Sequence, residues 1–492
     1  MWRDRHFSLL LTLLLGVPLL AMVMMPLADT TEPRYAEIAR LMAASGDWIT
    51  PWFEPGVPFW GKPPLSFWAQ AAAFRWLGVS DFVPRLPSWL VTAATLWVLY
   101  QMALTWFDRA VARRAVLVYA SSALVFIASG AVLTDPYLTL GTTLSMVGAV
   151  MAVRRPTVFW RYSFFLGLAI GLLAKGPLAL VLVGGAVLPW FLLFGSARSA
   201  IKGLPWVTGL LLTLILVLPW YIAAELKTPG FLDYFLIGEH VRRFLDPGWA
   251  GDRYGTAHQA AYGTIWYYWL QATFPWGGYA LVMLLLQLTC ASKRRTLVRQ
   301  LGDERVVYLL GWAVFTPLFF TISGNVLWTY VLPALPAFSV LVALTLKRPG
   351  PSGARYVTGF LVYVAPLVAA VLIFWMQADP GRLKTEKWLV EYVQQHREAG
   401  QPLYYLDDLP FSARFYSQET ATRVSHDDVP AIMRDGGNFW LAVPKGYPPV
   451  SALSGAAVKV FESRHFDLLR VTSAAGKTAA AAAPLAQSRS IQ

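Results

Sequence analysis

Apolar runs long enough to cross a membrane recur along this chain, and they constrain its fold more than any other feature. A helix needs about 20 consecutive apolar residues to span a bilayer, and 56% of the 492 residues are hydrophobic. Lysines and arginines collect in the short gaps between the runs, which is typical of cytoplasmic loops. The pattern predicts a polytopic α-helical membrane protein. The formal net charge of +13 is explained by these basic loops. It therefore gives no reason to expect nucleic acid as a partner.

The runs predict about eleven membrane-spanning helices, or about thirteen if parts of the external loops enter the bilayer. They lie near 7–27, 86–106, 115–133, 137–153, 162–195, 204–224, 262–290, 306–322, 327–346 and 357–376. We expect the run 162–195 to form a hairpin that turns at Lys175-Gly176-Pro177, and the run 262–290 to kink at Pro275. The first run has no small-residue cleavage site, so we expect a retained anchor.

This topology predicts a membrane domain over 1–376, with two long external loops at 28–85 and 225–261. Residues 377–474 carry more charge, and short apolar pieces alternate there with helical segments, which predicts a small extracytoplasmic α/β domain. The tail 475–492 is low in complexity and is expected to be disordered. The single cysteine, Cys290, excludes an internal disulfide and a multi-cysteine metal site.

Isolated charges in apolar surroundings indicate where the chemistry lies. Lys62, in FWGKPPL, has no acidic residue within seven positions, and such a cation beside lipid either snorkels or meets an anion such as a lipid phosphate. Lys175, in LLAKGPLAL, is a second isolated cation. Asp135, in VLTDPYL, is either a helix N-cap before Pro136 or a functional carboxylate.

The first external loop contains an amphipathic segment. Over 33–44, Tyr35, Ile38 and Met42 recur at helical spacing, which predicts a helix lying on the membrane surface with its apolar side down. Glu32, at the start of this segment, is either a partner of the helix dipole or a carboxylate that faces a cavity.

The second external loop contains Glu239-His240-Val241-Arg242-Arg243. Its two arginines add cations, and His240 is available for proton transfer or metal ligation, although one histidine is far from the three or four ligands of a zinc site. All these charges lie on the external side by the charge rule. Cations of this kind can stabilise a departing lipid phosphate while a carboxylate acts as base.

The motifs that carry these residues resemble the bacterial aminoarabinose lipid A transferases, within the wider class that includes protein O-mannosyltransferases. The matching motifs run in family order over 1–345: Glu32-x-Arg34-Tyr35-Ala36-Glu37-Ile38, Ala44-Ser45-Gly46-Asp47-Trp48, Lys62-Pro63, Asp135-Pro136, Lys175-Gly176, Leu218-Pro219-Trp220 and Glu239-His240-x-x-Arg243-Phe244. The resemblance implies a GT-C fold. It also implies inverting transfer of a sugar from undecaprenyl phosphate to an envelope acceptor such as lipid A, another glycolipid or a polysaccharide.

The residues and the resemblance together assign roles. The candidate catalytic carboxylates are Glu32, Asp29 and Asp135; the candidates for binding the donor phosphate are Lys62, Arg34, Lys175, Arg242 and Arg243; the candidates for binding substrate are Tyr35, Glu239, His240 and Tyr330. We expect no required cofactor, with a divalent metal ion as an open alternative. We further expect a monomer in the bacterial inner membrane, among membrane lipids, with its active site and C-terminal domain facing the periplasm.

Three departures from the family pattern bear on the substrate. Thr31-Glu32 stands where the family has Asp-Glu, Gly61-Lys62-Pro63 stands for Glu-Lys-Pro, and a later motif keeps Tyr330 but lacks its lysine. A hydroxyl acceptor needs a base, whereas a phosphate acceptor is already ionised at neutral pH. If no other carboxylate replaces the missing aspartate, we expect the acceptor to be a phosphate.

Other functions stay open at this point. A flippase or transporter for the same lipid carrier also needs external cations, but it is expected to keep polar or interrupted helices through the membrane midplane. The isolated charges here concentrate at the external ends, which favours chemistry on one side. A protein O-glycosyltransferase is a further alternative, and an envelope scaffold explains the isolated charges poorly.

Overall fold

The computed structural model describes two compact units. The described residues are 4–246, 248–255, 258–289, 299, 302–346, 352–398, 400–435, 437–448, 453 and 456–472. The membrane unit comprises Met1–Met25 and Ile38–Ile373, and the C-terminal unit comprises Pro26–Glu37 and Phe374–Gln492. Cys290 and the predicted disordered tail 475–492 lie outside the described residues. The start of the first external loop therefore belongs to the same unit as the C-terminal domain.

Helices make up almost all of the membrane unit, and Thr31–Ser45 and Ser352–Ala378 each also include residues of the C-terminal unit. They span Asp4–Met24, Thr31–Ser45, Leu65–Leu77, Leu86–Trp106, Arg109–Ala120, Ala123–Ser129, Asp135–Arg154, Val158–Lys175, Leu178–Leu193, Gly195–Lys202, Trp206–Lys227, Asp233–Arg242 (a π-helix), Arg243–Leu245, Thr264–Ala272, Trp276–Thr289, Glu304–Phe320, Trp328–Ala334 (a 3₁₀-helix), Leu335–Thr345 and Ser352–Ala378. The helical membrane fold predicted from the apolar runs is confirmed. A short hairpin of β1 (Trp52–Glu54) and β2 (Val57–Pro58) precedes Lys62.

By length and apolar composition, fewer of the described helices qualify as membrane spans than the sequence predicts. Within the described ranges, six helices are long and apolar enough, or eight if each of two bent pairs is one span. Leu178–Leu193 and Glu304–Phe320 lie at predicted spans but have only 16 and 17 residues, and Leu86–Trp106 includes several polar residues. Because a span needs about 20 mainly apolar residues, these helices explain most of the difference from the expected eleven to thirteen.

The predicted breaks in the long apolar runs are present. Val158–Lys175 and Leu178–Leu193 flank Gly176, whose φ of +69° favours glycine, so the predicted hairpin is confirmed. Thr264–Ala272 and Trp276–Thr289 meet at 108°. The kink predicted at Pro275 is confirmed, and a bend of this size separates two helices.

Glycines let two central helices approach closely. A Cβ on Gly141 would lie 2.6 Å from the backbone nitrogen of Gly171, and one on Gly167 would lie 2.5 Å from the carbonyl oxygen of Gly141. Asp135–Arg154 and Val158–Lys175 run in opposite directions, so the start of one helix lies beside the end of the other. This packing brings Asp135 next to Lys175.

The amphipathic segment of the first loop forms a helix, Thr31–Ser45. Tyr35, Ile38 and Met42 are all buried, and Glu37 beside them is only 2% exposed. The predicted helix is confirmed, but these three apolar side chains are covered by protein and not by lipid. A buried glutamate on this helix needs polar protein neighbours, which lipid tails cannot provide.

The C-terminal unit contains a five-stranded mixed sheet in the order β4-β3-β5-β7-β6. The strands are β3 (Leu403–Leu406), β4 (Ala421–Val424), β5 (Phe439–Pro444), β6 (Ala457–Glu462) and β7 (Phe466–Val471), and the helices are Lys387–His396, Phe411–Ser417 and Val429–Arg434. Strand β3 pairs in parallel with β4 and β5, while β7 is antiparallel to β5 and β6. The continuous apolar run of β5 is typical of a central strand buried on both faces.

A buried carboxylate lies in this unit. Glu386 is 1% exposed, and its Oε1 accepts a hydrogen bond of 3.0 Å from Ser463 Oγ. Burial raises the pKa of Glu386 from 4.5 to about 8, against the smaller opposite effect of Ser463, and Asp29 raises the pKa further. The folded protein thus keeps a proton that the unfolded chain releases. Its stability is expected to fall as pH rises from 4.5 to about 8 and to level off above that.

Glu386→Gln removes this titration, so the variant should lose less stability than the wild type over that pH range. The expected difference in the pH-dependent part of the free energy of unfolding is on the order of a few kcal/mol. Thermal unfolding of the detergent-solubilised protein from pH 5 to 8 would measure it. Glu391→Gln, which changes a partly exposed glutamate of the same domain, should keep the wild-type dependence. A pH dependence of stability in Glu386→Gln equal to that of the wild type would contradict the attribution of this dependence to Glu386.

Candidate functional site

The isolated cations of the sequence meet at one cavity in the membrane unit. The cavity has a volume of 480 Å³. Its polar lining consists of Lys62, Lys175, Glu239, His240, Arg243, Ser323, Asn325 and Tyr330, and its apolar lining consists of Pro177, Leu178, Val181, Phe235, Leu236, Val241, Phe244, Phe319 and Phe320. Such a cavity can hold a ligand that has one charged part and one apolar part.

A carboxylate joins two of these cations. Glu239 Oε2 lies 3.3 Å from Lys62 Nζ and 3.1 Å from Arg243 Nη1, and Asp252 lies 3.4 Å from Nη2 of the same arginine. Lys62 follows the β-hairpin of the first loop, whereas Glu239 belongs to the π-helix of the second. The ion pairs therefore connect the two external loops, and Lys62 is not an isolated cation in the folded protein.

Glu239 stays ionised at neutral pH. Burial alone would raise its pKa, but the charges of Lys62 and Arg243 outweigh burial and hold the pKa of Glu239 below its usual value. The π-helix also turns Tyr234 toward it, because residues five apart meet across a π-turn, and the tyrosine hydroxyl donates to Glu239 Oε1 at 3.3 Å. A carboxylate held in this way is a weak base.

Asp135 and Lys175 form a second ion pair, with Nζ 2.6 Å from Oδ1 and both side chains less than 10% exposed. The ammonium also lies 4.6 Å from the ring centre of Tyr330, which favours a cation. Thr134 occupies the N-cap position and the helix begins at Asp135. The alternative of Asp135 as an N-cap is therefore wrong, because its carboxylate is directed to Lys175.

His240 links the two charged clusters. Its Nδ1 lies 2.7 Å from the carbonyl oxygen of Phe235, and its Nε2 lies 2.9 Å from that of Lys175. Burial lowers the pKa of His240, while the two carbonyl contacts raise it. Both ring nitrogens thus face backbone carbonyls. Across the described residues, no group of three or more histidine, cysteine, aspartate or glutamate side chains could hold a metal ion.

The remaining predicted residues lie elsewhere. Arg242 is exposed and does not line the cavity, although Arg243 beside it does. Asp29, Glu32, Arg34 and Tyr35 belong to the C-terminal unit, where the guanidinium of Arg34 lies 5.1 Å from the ring of Tyr35. The structure thus brings together Lys62, Asp135, Lys175, Glu239, His240, Arg243 and Tyr330, and the roles assigned to them stay predictions.

Several residues around the cavity were not predicted. Asp252 pairs with Arg243, and Asn325 donates from Nδ2 to the carbonyl oxygens of Arg243 and Asp246 at 2.8 and 3.1 Å. Asn325 lies in the motif that lacks the family's lysine, Gly324-Asn325-Val326-Leu327-Trp328-Thr329-Tyr330, so that departure was the available sequence signal. Nothing in the local spacing around Asp252 indicates its partner, because the loop there is irregular.

Comparisons with known proteins agree with this architecture. The family described as dolichyl-phosphate-mannose-protein mannosyltransferase matches residues 6–235. The crystal structure of ArnT from Cupriavidus metallidurans bound to undecaprenyl phosphate superposes with a TM-score of 0.77 at 17% identity, covering 95% of this chain and 98% of that one. Fold and site thus define a multi-pass bacterial membrane protein with the GT-C architecture of glycosyltransferases.

Relatives in sequence point to one kind of glycosyltransferase. The undecaprenyl phosphate-alpha-4-amino-4-deoxy-L-arabinose arabinosyl transferase of Edwardsiella ictaluri is 32% identical over 360 residues, which cover 70% of this chain and 60% of the relative. The enzyme of the same name from Aeromonas hydrophila is 29% identical over 367 residues, covering 72% and 63%. The chain is therefore similar to the aminoarabinose transferases, as its motifs predict, and it matches less than two thirds of their length.

The Asp135–Lys175 pair gives a test of the packing. Asp135→Ala should lower the free energy of unfolding by on the order of 3 kcal/mol, because it leaves a buried ammonium without its carboxylate. Asp135→Ala combined with Lys175→Met should recover part of that loss. Thermal unfolding in detergent measures both. Lys459→Met, in an exposed pair with Glu462, should leave the melting temperature unchanged, and equal losses in the single and double variants would refute the buried pair.

Proposed function

We propose that this protein transfers a sugar from an undecaprenyl-phosphate donor to an envelope acceptor at the periplasmic face of the bacterial inner membrane. The observation that carries the proposal is the cavity, which combines three cations with a long apolar lining. A polyprenyl phosphate has the matching parts, an anionic phosphate and a hydrocarbon chain. The arabinosyl transferase relatives and the ArnT structure bound to undecaprenyl phosphate support the same class of donor.

Lys62 is the residue most suited to meet the phosphate. Its side chain is 21% exposed, compared with 17% for Arg243 and 7% for Lys175. Its contact with Glu239, at 3.3 Å, is also longer than the 2.6 Å contact between Lys175 and Asp135. Of these three cations, Lys62 can therefore exchange its carboxylate partner for a phosphate with the smallest loss of ion-pair energy.

The chemistry is an inverting displacement. An acceptor oxygen forms a bond to the anomeric carbon of the sugar, and the bond from that carbon to the phosphate oxygen breaks on the opposite side. The bonding electrons move to the lipid phosphate, which leaves with added negative charge. Lys62 and Arg243 stabilise this charge, and Lys175 lies at the same cavity to support them. These cations supply the charge that a metal ion would otherwise provide, so we propose no metal requirement.

The carboxylates at the cavity favour an acceptor that is already ionised. Lys62 and Arg243 lower the pKa of Glu239 and so make it a poor proton acceptor, and the Asp135 carboxylate is engaged in its ion pair with Lys175. A phosphate group needs no base in order to attack. We therefore propose that the acceptor oxygen belongs to a phosphate, as on lipid A. We also propose that the protein acts as a monomer and that its C-terminal domain faces the periplasm.

Replacing Lys62 tests the donor site. Lys62→Ala should lower both transfer and binding of undecaprenyl phosphate by about 100-fold, while Lys62→Arg should keep part of each because it keeps the charge. The assay uses protein reconstituted with a panel of undecaprenyl-phosphate sugars and lipid A. Lys227→Ala, which changes a lysine paired with Asp47 away from the cavity, is the control. Tight carrier binding without turnover of any donor would instead support a transporter.

Replacing Glu32 tests whether the acceptor is a phosphate. If the acceptor is a phosphate, Glu32→Gln should keep the transfer rate within about threefold of the wild type, because no base is needed. The variant keeps the size of the side chain at the first turn of Thr31–Ser45. Initial rates with lipid A before and after removal of its phosphates would complete the test. A complete loss of transfer in folded Glu32→Gln would indicate a required base and a hydroxyl acceptor.

A further inference from the structure

The start of the first external loop is bound tightly to the C-terminal domain. The backbone N–H of Leu27 donates to Tyr416 Oη at 2.7 Å, and its carbonyl oxygen accepts from Thr385 Oγ1 at 2.8 Å. The N–H of Asp29 donates to the carbonyl oxygen of Lys384 at 2.8 Å. Segment and domain form one compact unit, although more than 340 residues separate them along the chain.

Both carboxylate oxygens of Asp29 are engaged in the same interface. Oδ1 accepts from the backbone N–H of Ser412 at 2.9 Å, and Oδ2 accepts from the Ser412 hydroxyl. That hydroxyl in turn accepts from the N–H of Glu386 at 3.0 Å. A general base needs an oxygen that can reach the substrate proton, and here both oxygens face donors of one serine.

The contact has a clear structural purpose. Ser412 lies in the first turn of the helix Phe411–Ser417, whose N-cap position is occupied by Pro410 and has no side-chain cap. The first N–H groups of a helix need acceptors, and a carboxylate there also interacts favourably with the helix dipole. Asp29 thus caps a helix of the C-terminal domain from the first loop.

We propose that Asp29 is a positioning residue, and that the C-terminal domain acts in transfer by holding the first external loop through the Asp29–Ser412 contact. The loop continues from Asp29 into the helix Thr31–Ser45 and on to Lys62. Fixing its start restricts where Glu32, Arg34 and the following helix can lie. The C-terminal domain therefore serves the membrane site through the covalent chain, and Asp29 does not act as the base.

Conservative and non-conservative changes at Asp29 distinguish a positioning residue from a general base. Asp29→Asn keeps the oxygen that accepts from the Ser412 N–H, so it should keep transfer within about threefold of the wild type, whereas Asp29→Ala should lower kcat by about 10-fold or more. Binding of undecaprenyl phosphate should change by less than about twofold in both variants. Loss of transfer in Asp29→Asn equal to that in Asp29→Ala would identify a base and overturn the proposal.

A double-mutant cycle tests the partner. Ser412→Ala should lower kcat by less than Asp29→Ala, because the Ser412 N–H still donates to Asp29 Oδ1. Adding it to Asp29→Ala should have little further effect on kcat, because the contact with the first loop is already broken and the Glu386 N–H contact that is also lost lies within the C-terminal domain. Asp408→Asn, at an exposed carboxylate near Asp29, is the matched control and should behave as the wild type. Additive losses, or wild-type kcat in Asp29→Ala, would refute the positioning role.

The activity readout rests on the proposed function, so hydrogen exchange supplies an independent one. The backbone N–H groups of 27–32 and 34–37 should exchange faster in Asp29→Ala than in Asp29→Asn or Asp408→Asn, in the full-length protein in detergent. Absence of transfer in the wild type would contradict the proposed function while leaving this comparison valid. Unchanged exchange in Asp29→Ala would overturn the anchoring itself.

Discussion

The ion pairs of Glu239 with Lys62 and Arg243 are the interaction on which the candidate site depends. Each of these charges alone would be costly in surroundings made of phenylalanine, leucine and proline side chains. Paired, they fix the first external loop against the second and give the cavity its polar part. An anion that enters the cavity must share the cations with Glu239, so the affinity for the proposed lipid carrier is expected to depend on how readily Lys62 exchanges one anion for another.

The ion pair of Asp135 with Lys175 likewise avoids the cost of an unpaired buried charge, here inside the helical core. Asp135 and Lys175 meet because glycines allow their helices to pack closely in opposite directions. His240 then connects this pair to the first cluster through the carbonyl oxygen of Lys175. The two clusters of ion pairs are therefore adjacent, because His240 follows Glu239 in the chain and contacts the backbone of Lys175. A change in one of them is expected to affect the others through these contacts.

Much of the fold could be predicted because its causes are local. Apolar runs of sufficient length gave the helices, and Gly176 with Pro177 gave the turn between Val158–Lys175 and Leu178–Leu193. What could not be predicted also has a physical reason. The size of the bend at Pro275 depends on packing of the two helix segments, and burial of Tyr35, Ile38 and Met42 depends on which protein surface covers them. Periodicity shows an apolar face but does not show whether lipid or protein lies against it.

The sequence by itself determined the membrane class, the lysines that need an anion, and the motifs shared with the aminoarabinose transferases. Only the tertiary structure decided which anion each lysine has, since Glu239 lies 177 residues from Lys62 and Asp135 lies 40 residues from Lys175. It also decided that Asp29 contacts Ser412, 383 residues away. Charge and burial can be inferred from neighbours along the chain, whereas a specific partner at that separation depends on how the whole chain packs.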